Sequence, residues 1–363
     1  MYSLVCSYVV KKFQICQENL YPFFKMKLLL KFSFLSFLFF TACNNDFNPV
    51  SGYKDIPVVY GFLSPTDTAT YIRVEKAFAD PVKSPNNIAQ IPDSLYYKDV
   101  TVTLVRTKDN ARFVLKQVDG NKEGYPRQNG VFATSPNYLY KISNKILAPQ
   151  ADDAFRIELQ HATDTKPFAQ ATTKIVGTYT FFIQNNVQTW TYTSGGIFRV
   201  DTDEKSARTY DLKLIFNYDE SDPTKPGSTV SQNVVWDYIS NQTRNIGADG
   251  IPDPEIRFVH SNPQDFYVFL QTNIAEKSGI VRTFKSIDLI LYAGGSEFIN
   301  YETNGIANIG ITGSQSIPVY TNIINGLGLF SSRSTAVYKG LTLSDASLEL
   351  LKNGDFTKKL NFK

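Results

Sequence analysis

Apolar and polar residues alternate in short runs along most of this chain. In the clearest run, Val100, Val102 and Leu104 alternate with threonine and valine, which is the period of a half-buried β-strand. Comparable runs, each followed by turn residues, recur at 56–63, 69–78, 112–118, 138–142, 154–159 and 172–182. About seven short strands without a convincing helix predict an immunoglobulin-like β-sandwich over residues 55–182.

The second half of the chain keeps the strand pattern but adds two runs at helical spacing. Strand-like runs lie at 197–201, 210–218, 234–239 and 287–292. Apolar residues repeat at helical spacing over 266–274, after a Ser-Asn-Pro sequence that is typical of a helix N-terminus, and again over 344–351. The overall prediction is a mainly β protein, whose second β-rich domain covers 183–363 and contains one or two short helices. The change of pattern places the domain boundary within 177–194.

The N-terminal residues have the pattern of a targeting segment. From Met26, two lysines precede an apolar run over 32–40 and the small residues Thr41 and Ala42, which is the layout of a secretory signal. The run is shorter than the roughly 20 apolar residues that span a bilayer as a helix. Because Cys43 follows directly, the pattern predicts a lipoprotein signal peptide over 26–42 and a lipid such as palmitate on Cys43. Residues 1–25 are then an upstream extension, and residues 43–54 form a tether.

Removal of this segment changes the charge of the chain. Residues 1–42 hold five of the 37 basic side chains and one of the 34 acidic ones, so the remaining chain has a net charge of −1. No basic block remains, and nucleic-acid binding is not expected. Acyl chains on Cys43 would anchor the protein to the outer membrane. The Asn-Asn-Asp start at 44–46 favours the cell surface over the periplasmic face.

Residues suited to metal or nucleophilic chemistry are scarce. The chain contains two histidines, His161 and His260, and no cysteine follows Cys43. A zinc site or a Ser-His-Asp arrangement would depend on these isolated histidines, and no phosphate-binding glycine loop occurs. No metal, cofactor or catalytic residue is therefore predicted, and the balance is against an enzyme.

Carboxylate pairs are the remaining catalytic option, because glycoside hydrolases use two facing acids. The candidates are two groups in the second half, Asp201, Asp203 and Glu204, and Asp249, Asp253 and Glu255. Both groups lie beside glycine, lysine or proline, so solvated loop acids are the preferred interpretation. A weak Ca²⁺ site at 249–255 is the further alternative. Aromatic residues are interpreted mainly as core, with Trp190 and Trp236 as the best candidates for stacking on a sugar.

The most distinctive local sequence is 319–330. Asn325, Gly326 and Gly328 predict a turn with positive φ, and Asn322 lies on its approach. Apolar neighbours indicate that the turn packs against the body of the protein. Two interpretations stay open, a structural clamp and a binding loop.

Several stretches together resemble a known family. The resemblance is carried by the lipoprotein signal and by the stretches 58–68, 71–74, 76–78, 91–94 and 321–330. The chain resembles a family of Bacteroidota outer-membrane lipoproteins that is described only as a domain of unknown function. Members are often encoded near TonB-dependent transporters, so the resemblance implies an accessory role at the cell envelope. It implies no catalytic residues.

Three hypotheses follow from the sequence. The first is a lipid-anchored, non-enzymatic component that binds a partner protein or a nutrient ligand beside a TonB-dependent transporter. The second is an envelope glycan hydrolase that uses a carboxylate pair. The third is a structural or adhesive surface protein without a diffusible ligand.

Overall fold

β-Strands form most of the described chain. The computed structural model describes residues 56–78, 83–202, 204–307 and 320–363, with the side chains of 304–307 excepted. The strands are β1 (Pro57–Leu63), β2 (Ala69–Lys76), β3 (Val100–Arg106), β4 (Ala111–Val114), β5 (Lys116–Asp119), β6 (Tyr138–Ser143), β7 (Ala154–His161), β8 (Ala169–Lys174), β9 (Thr180–Phe181), β10 (Val187–Gln188), β11 (Ile197–Asp201), β12 (Ala207–Ser221), β13 (Val230–Thr243), β14 (Glu255–Val259), β15 (Val281–Gly295) and β16 (Leu327–Leu343).

The helices are short and lie between the strands. They are α1 (Pro85–Ala89), α2 (Pro92–Leu95), α3 (Asn144–Leu147), α4 (Asp265–Asn273), α5 (Ser296–Ala307) and α6 (Asp345–Asn353), and a 3₁₀ turn covers Lys358–Leu360. The two predicted helices are confirmed as α4 and α6. Ser344 caps α6 by accepting the N–H of Ser347, as expected for a serine at this position.

The strands form three sheets. The largest has nine strands, in the order β13-β12-β15-β16-β1-β2-β6-β5, with β10 also paired to β16. A four-stranded sheet has the order β4-β3-β7-β8, and a three-stranded sheet has the order β14-β11-β9. β16 pairs in parallel with β1 and with β10, whereas it pairs antiparallel with β15.

The first core lies between the four-stranded sheet and the β1-β2-β6 part of the large sheet. Val59 and Ile72 from the large sheet meet Leu104 and Ile157 from the small one, and all four are fully buried. Two sheets that face each other across a shared apolar layer form a β-sandwich. The predicted fold class is confirmed: a mainly β chain with an immunoglobulin-like sandwich first and a β-rich part with short helices after it.

The second core lies between β12, β15 and β16 on one side and the three-stranded sheet with α4 and α6 on the other. Trp190 is at its centre, 1 % exposed, with its ring stacked on Phe266 at 4.7 Å between centroids. Trp190 is therefore a core residue and is not available as a surface platform. Trp236 packs at the margin of this core, with its ring stacked on Phe269.

The two cores meet at adjacent residues, Ile175 in the first and Val176 in the second. The segment 177–194, interpreted as a boundary, packs Tyr179, Phe181 and Trp190 into the second core. The large sheet continues through both cores, and Gly52–Lys363 forms one compact unit. The assignment of domains to 55–182 and 183–363 stays a prediction.

Two predicted strands are each divided in the structure. The run 112–118 breaks at the buried Leu115 into β4 and β5, which belong to different sheets. The run 172–182 breaks between β8 and β9, where the chain passes from one core to the other. Alternation continues through a crossover between sheets, so periodicity alone does not reveal it.

β16 joins the two cores, and the sequence pattern missed it. Phe330 belongs to the first core and Leu341 to the second. Between them the strand buries Ser331, Ser332 and Ser334, which carry no apolar signal. Ser332 accepts the N–H of Val176 at 3.0 Å and donates to the carbonyl of Lys174, so it ties β16 to the segment that connects the cores.

Gly328 allows β16 to approach β1. Its φ is +102°, and it lies opposite Val59 in the parallel pairing. A Cβ at this position would overlap the carbonyl oxygen of Val59. Gly340 in the same strand also has positive φ, +85°, but no atom lies within 4 Å of a Cβ placed there.

We expect Gly328→Ala to destabilise the protein more than Gly340→Ala does. Left-handed strain costs both variants about 1–2 kcal/mol, whereas overlap with β1 adds about 1–3 kcal/mol at residue 328 alone. Urea unfolding of the two full-length variants measures the difference. Equal losses would show that the close approach of β16 to β1 does not limit stability.

Candidate functional site

The asparagine-glycine loop makes contacts within the protein. The amide of Asn322 binds both backbone groups of Phe330, donating to its carbonyl at 2.6 Å and accepting its N–H at 2.9 Å. Asn325 has a φ of 62° and donates to the carbonyl of Phe168. A Cβ on Gly326 would meet the carbonyl of Pro57. These contacts favour the structural clamp over the binding loop, because they use the polar groups that a ligand would need.

The two acidic groups named from the sequence come together in space. Asp201 ends β11 and Glu255 begins β14, and the two residues are partners in the antiparallel pairing. Glu255 also lies 3.8 Å from the guanidinium of Arg199. Asp203 lies outside the described residues. The side chain of Asp249 accepts the N–H of Ile251 within its own turn.

Glu204 is a buried acid, and its interpretation as a solvated loop acid is wrong. One carboxylate oxygen accepts the hydroxyl of Tyr179 at 2.6 Å and the guanidinium of Arg244 at 2.9 Å. The other accepts the N–H groups of Ser206 and Ala207 at 2.7 and 2.9 Å. Both side chains of the Glu204–Arg244 pair are 1 % exposed. The loop folds over the carboxylate because these four donors satisfy a charge that could not otherwise be buried.

This buried pair is structural. Arg244 also donates to the backbone carbonyl of Asp253, so it connects the two acidic segments. Burial, together with the nearby charges of Tyr210 and Glu204, raises the pKa of Tyr179. Burial likewise raises the pKa of Tyr210 to about 12. Both phenols therefore stay neutral, and Tyr179 donates its proton to Glu204. A carboxylate with four donors has little capacity left for a substrate.

The best-formed cleft lies where α5 packs on β12, β15 and β16. It has a volume of about 290 Å³, and its lining includes Phe62, Asp211, Tyr292, Gly294, Phe298 and Arg333. A cleft with aromatic walls and a few polar groups is typical of a small-molecule site. This size is close to the lower limit of about 300 Å³ for such sites.

α5 is held in place at its first turn. Glu297 accepts the hydroxyls of Thr173 and Ser331 at 3.1 and 3.0 Å, which joins the helix to β8 and β16. Phe298 then packs edge-to-face against Phe62, with centroids 5.8 Å apart. Gly294 leaves room for that ring, because a Cβ there would lie 3.1 Å from Phe298.

An irregular strand pairing positions Asp211 in the cleft. The register between β12 and β13 shifts on both sides of Leu212, and Asn241 opposite has a φ of 54°. The N–H of Asn241 donates to the carboxylate of Asp211 at 2.7 Å. Bulges of this kind re-aim side chains and are common beside functional sites.

Glu302 of α5 adds a second acid near Asp211. Burial raises the pKa of Glu302, and the negative charge of Asp211 raises it further. Asp211 lines the cleft itself, whereas Glu302 lies further along the helix.

Arg333 provides the opposite charge. It lies opposite Gly294 in the pairing of β15 with β16, and its side chain is 55 % exposed. Its present partner is Asp67, at 3.1 Å.

A second depression, of about 540 Å³, lies beside β4, β5 and β6 and is lined in part by Arg112, Lys116, Glu123 and Lys141. Arg112 pairs with Glu158, and Lys141 pairs with Glu123. Because these ion pairs already neutralise much of the charge on its lining residues, this depression is a weaker candidate for ligand binding than the cleft at α5.

Sequence analysis did not find the α5 cleft. Its residues come from β1, β12, β15, α5 and β16, which are far apart in the chain, and α5 itself is rich in Asn, Thr and Gly. The available local signal was Gly294-Gly295 at the end of a strongly apolar strand. Paired glycines at such a position indicate that another group packs closely.

Several sequence predictions lie outside the part of the chain that the structure covers. Cys43, the signal peptide and the tether belong to these residues. Among the residues that are described, no helix is long and apolar enough to span a bilayer. In the same ranges, no group of three or more His, Cys, Asp or Glu residues is arranged to hold a metal ion.

Comparison with known proteins adds little to this geometry. No family model and no curated protein matches the chain. Among solved structures, the chain is similar to CBD12 from CALX1.2, with 11 % identity, 76 % of this chain and 98 % of that chain covered, and a TM-score of 0.20. CBD12 of CALX1.1 matches with 10 % identity, 77 % and 98 % covered, and a TM-score of 0.15. TM-scores this low carry no argument about ligand or function.

We expect Arg244→Gln to unfold far more readily than Lys213→Gln. The first change leaves the Glu204 carboxylate buried without its cation, which costs about 3–5 kcal/mol. The second breaks an exposed pair with Asp237, worth less than about 1 kcal/mol. Denaturant unfolding compares them, and similar losses would contradict the structural role of the buried pair.

We expect Glu302→Gln to stabilise the protein above, but not below, the range in which this acid titrates. A raised pKa means that the folded state holds the proton more tightly, so stability is lost as pH rises through the folded value. Glutamine stays neutral and avoids this loss, by less than about 1 kcal/mol because solvent screens the site. Thermal unfolding at several pH values measures the effect.

The gain from Glu302→Gln should be smaller when Asp211→Asn is also present, because the repelling charge is gone. A gain that does not change with pH, or that is the same in both backgrounds, would contradict the pairing of these acids.

Proposed function

We propose that the protein is a lipid-anchored, non-enzymatic binding component of the bacterial outer membrane that acts beside a transporter. The α5 cleft is the observation that carries the binding role. It combines aromatic walls from Phe62, Tyr292 and Phe298 with the charged groups of Asp211 and Arg333. Apolar surface supplies affinity and a few placed polar groups supply orientation, as in most small-ligand sites.

The anchoring role is supported by the sequence around Cys43. A lipid on this residue would hold the chain at the membrane, and Asp46 favours the cell surface. Residues 43–54 would form a tether, and Pro57 begins β1. The family resemblance supports a TonB-dependent transporter as the neighbour.

The structural roles of the acids named from the sequence support binding over catalysis. Glu204 is saturated by four donors, Glu255 lies beside Arg199, and Asp249 shapes a turn. Each therefore has an explanation in the fold itself.

A glycan hydrolase is the second candidate, because one observation favours it. Asp211 lines the cleft, burial raises the pKa of Glu302 on α5, and a raised pKa suits a general acid. If wild-type protein released shorter glycans and Asp211→Asn abolished the release, this function would replace the binding proposal.

We expect the tagged full-length protein to be recovered from the outer membrane together with a TonB-dependent transporter, identified by mass spectrometry. Cys43→Ala should remove the protein from the membrane fraction, because it cannot be acylated, and should also lose the transporter. Wild-type protein in the soluble fraction would contradict the anchor. Membrane-bound protein recovered without any envelope protein would contradict the accessory role.

A further inference from the structure

Opposite charges stand at the two ends of the α5 cleft. Asp211 is the acidic group and Arg333 the basic group of its lining. On the sheet, Asp211 is opposite Tyr292, Tyr292 is opposite Thr335, and Arg333 lies two residues before Thr335. All these positions are on the face that α5 partly covers, so both charged ends border one cleft.

We propose that this cleft binds a short peptide by its two termini, with the ammonium group at Asp211 and the carboxylate at Arg333. The inference rests on the proposed binding function and names its ligand class. A zwitterion carries a complementary charge for each of these two groups, whereas a neutral sugar carries none. The aromatic rings of Tyr292 and Phe298 would contact the ammonium group and apolar side chains of the ligand.

The separation of the ends favours a peptide over a single amino acid. Two strand spacings and two residues along the strand separate the Cα atoms of Asp211 and Arg333 by about 12 Å. The Asp211 carboxylate accepts the N–H of Asn241 on β13, and the Arg333 guanidinium pairs with Asp67, so neither charged group is turned towards the other. The charged groups of an amino acid are only about 2.5 Å apart, whereas those of an extended dipeptide are about 6 Å apart and each further residue adds about 3.5 Å. A dipeptide or tripeptide therefore spans the cleft.

The present partner of Arg333 does not prevent this binding. Its ion pair with Asp67 is solvent-exposed on both sides, with side chains 55 % and 38 % exposed. Such pairs contribute less than about 1 kcal/mol, so a ligand carboxylate in the cleft can displace Asp67. At the other end, a ligand ammonium group would pair with the Asp211 carboxylate, whose partner in the structure is the backbone N–H of Asn241.

The test uses full-length protein, purified in detergent and immobilised. Four forms of one dipeptide library are applied, with free termini, N-acetylated, C-amidated and blocked at both ends. A panel of neutral glycans is applied separately, and retained compounds are identified by mass spectrometry. Titration calorimetry then gives the affinity of the best retained dipeptide in its four forms for the wild type and for variants.

We expect free dipeptides to be retained and each blocked end to weaken binding about tenfold, because each removes a charge-assisted hydrogen bond. Asp211→Asn should weaken the free dipeptide about tenfold but leave the N-acetylated form unchanged. Arg333→Gln should weaken the free dipeptide about tenfold but leave the C-amidated form unchanged. Asp67→Asn should strengthen binding, because it frees Arg333, and Arg257→Gln, outside this cleft, should have no effect.

The proposal is overturned if blocked dipeptides bind as well as free ones, if Asp211→Asn leaves the free form unaffected, or if no dipeptide is retained. Retention of a glycan without any dipeptide would overturn the ligand class and leave the binding function in place. Retention of neither class would count against both.

Discussion

The parallel pairing of β1 with β16 is the constraint on which the rest of this structure depends. β1 lies in the sandwich, whereas β16 contributes to the sandwich core and to the second core. Parallel neighbours cannot be joined by a tight turn. The connection between β1 and β16 is therefore long, and it contains most residues of both cores. The Asn322–Phe330 bonds and the close approach at Gly328 set where β16 begins. A shift in that register would misplace every residue that β16 delivers to either core.

The buried Glu204–Arg244 pair holds the polar segments of the second half in place. Arg244 reaches the carbonyl of Asp253 as well as Glu204, so one side chain holds together the loops at residues 204 and 253. The pair is costly to desolvate, but the backbone donors of Ser206 and Ala207 complete its coordination. Glu204, which the sequence offers as a catalytic candidate, thus has a structural role at the edge of a sheet.

The α5 cleft is a product of both arrangements. Its floor is the large sheet where the two cores join, and Glu297 secures the helix to Thr173 and Ser331 on either side of that junction. Phe62, on the strand that follows the proposed tether, forms one of its walls. Ligand sites are often found where two cores or domains meet, because packing is concave there.

The sequence alone determined the fold class, α4, α6 and most strands, because alternation and helical spacing are local properties that each segment carries. It also supplied Cys43 and its signal pattern, which depend only on neighbouring residues. Only the tertiary structure decided the role of Glu204, the path of β16 and the existence of the cleft. Glu204 looked solvated until Arg244 was placed beside it, and the serines of β16 gave no apolar period. Asp211 and Arg333 line one cleft only because the sheet order brings β12, β15 and β16 together beneath α5, and strand order is not encoded in local periodicity.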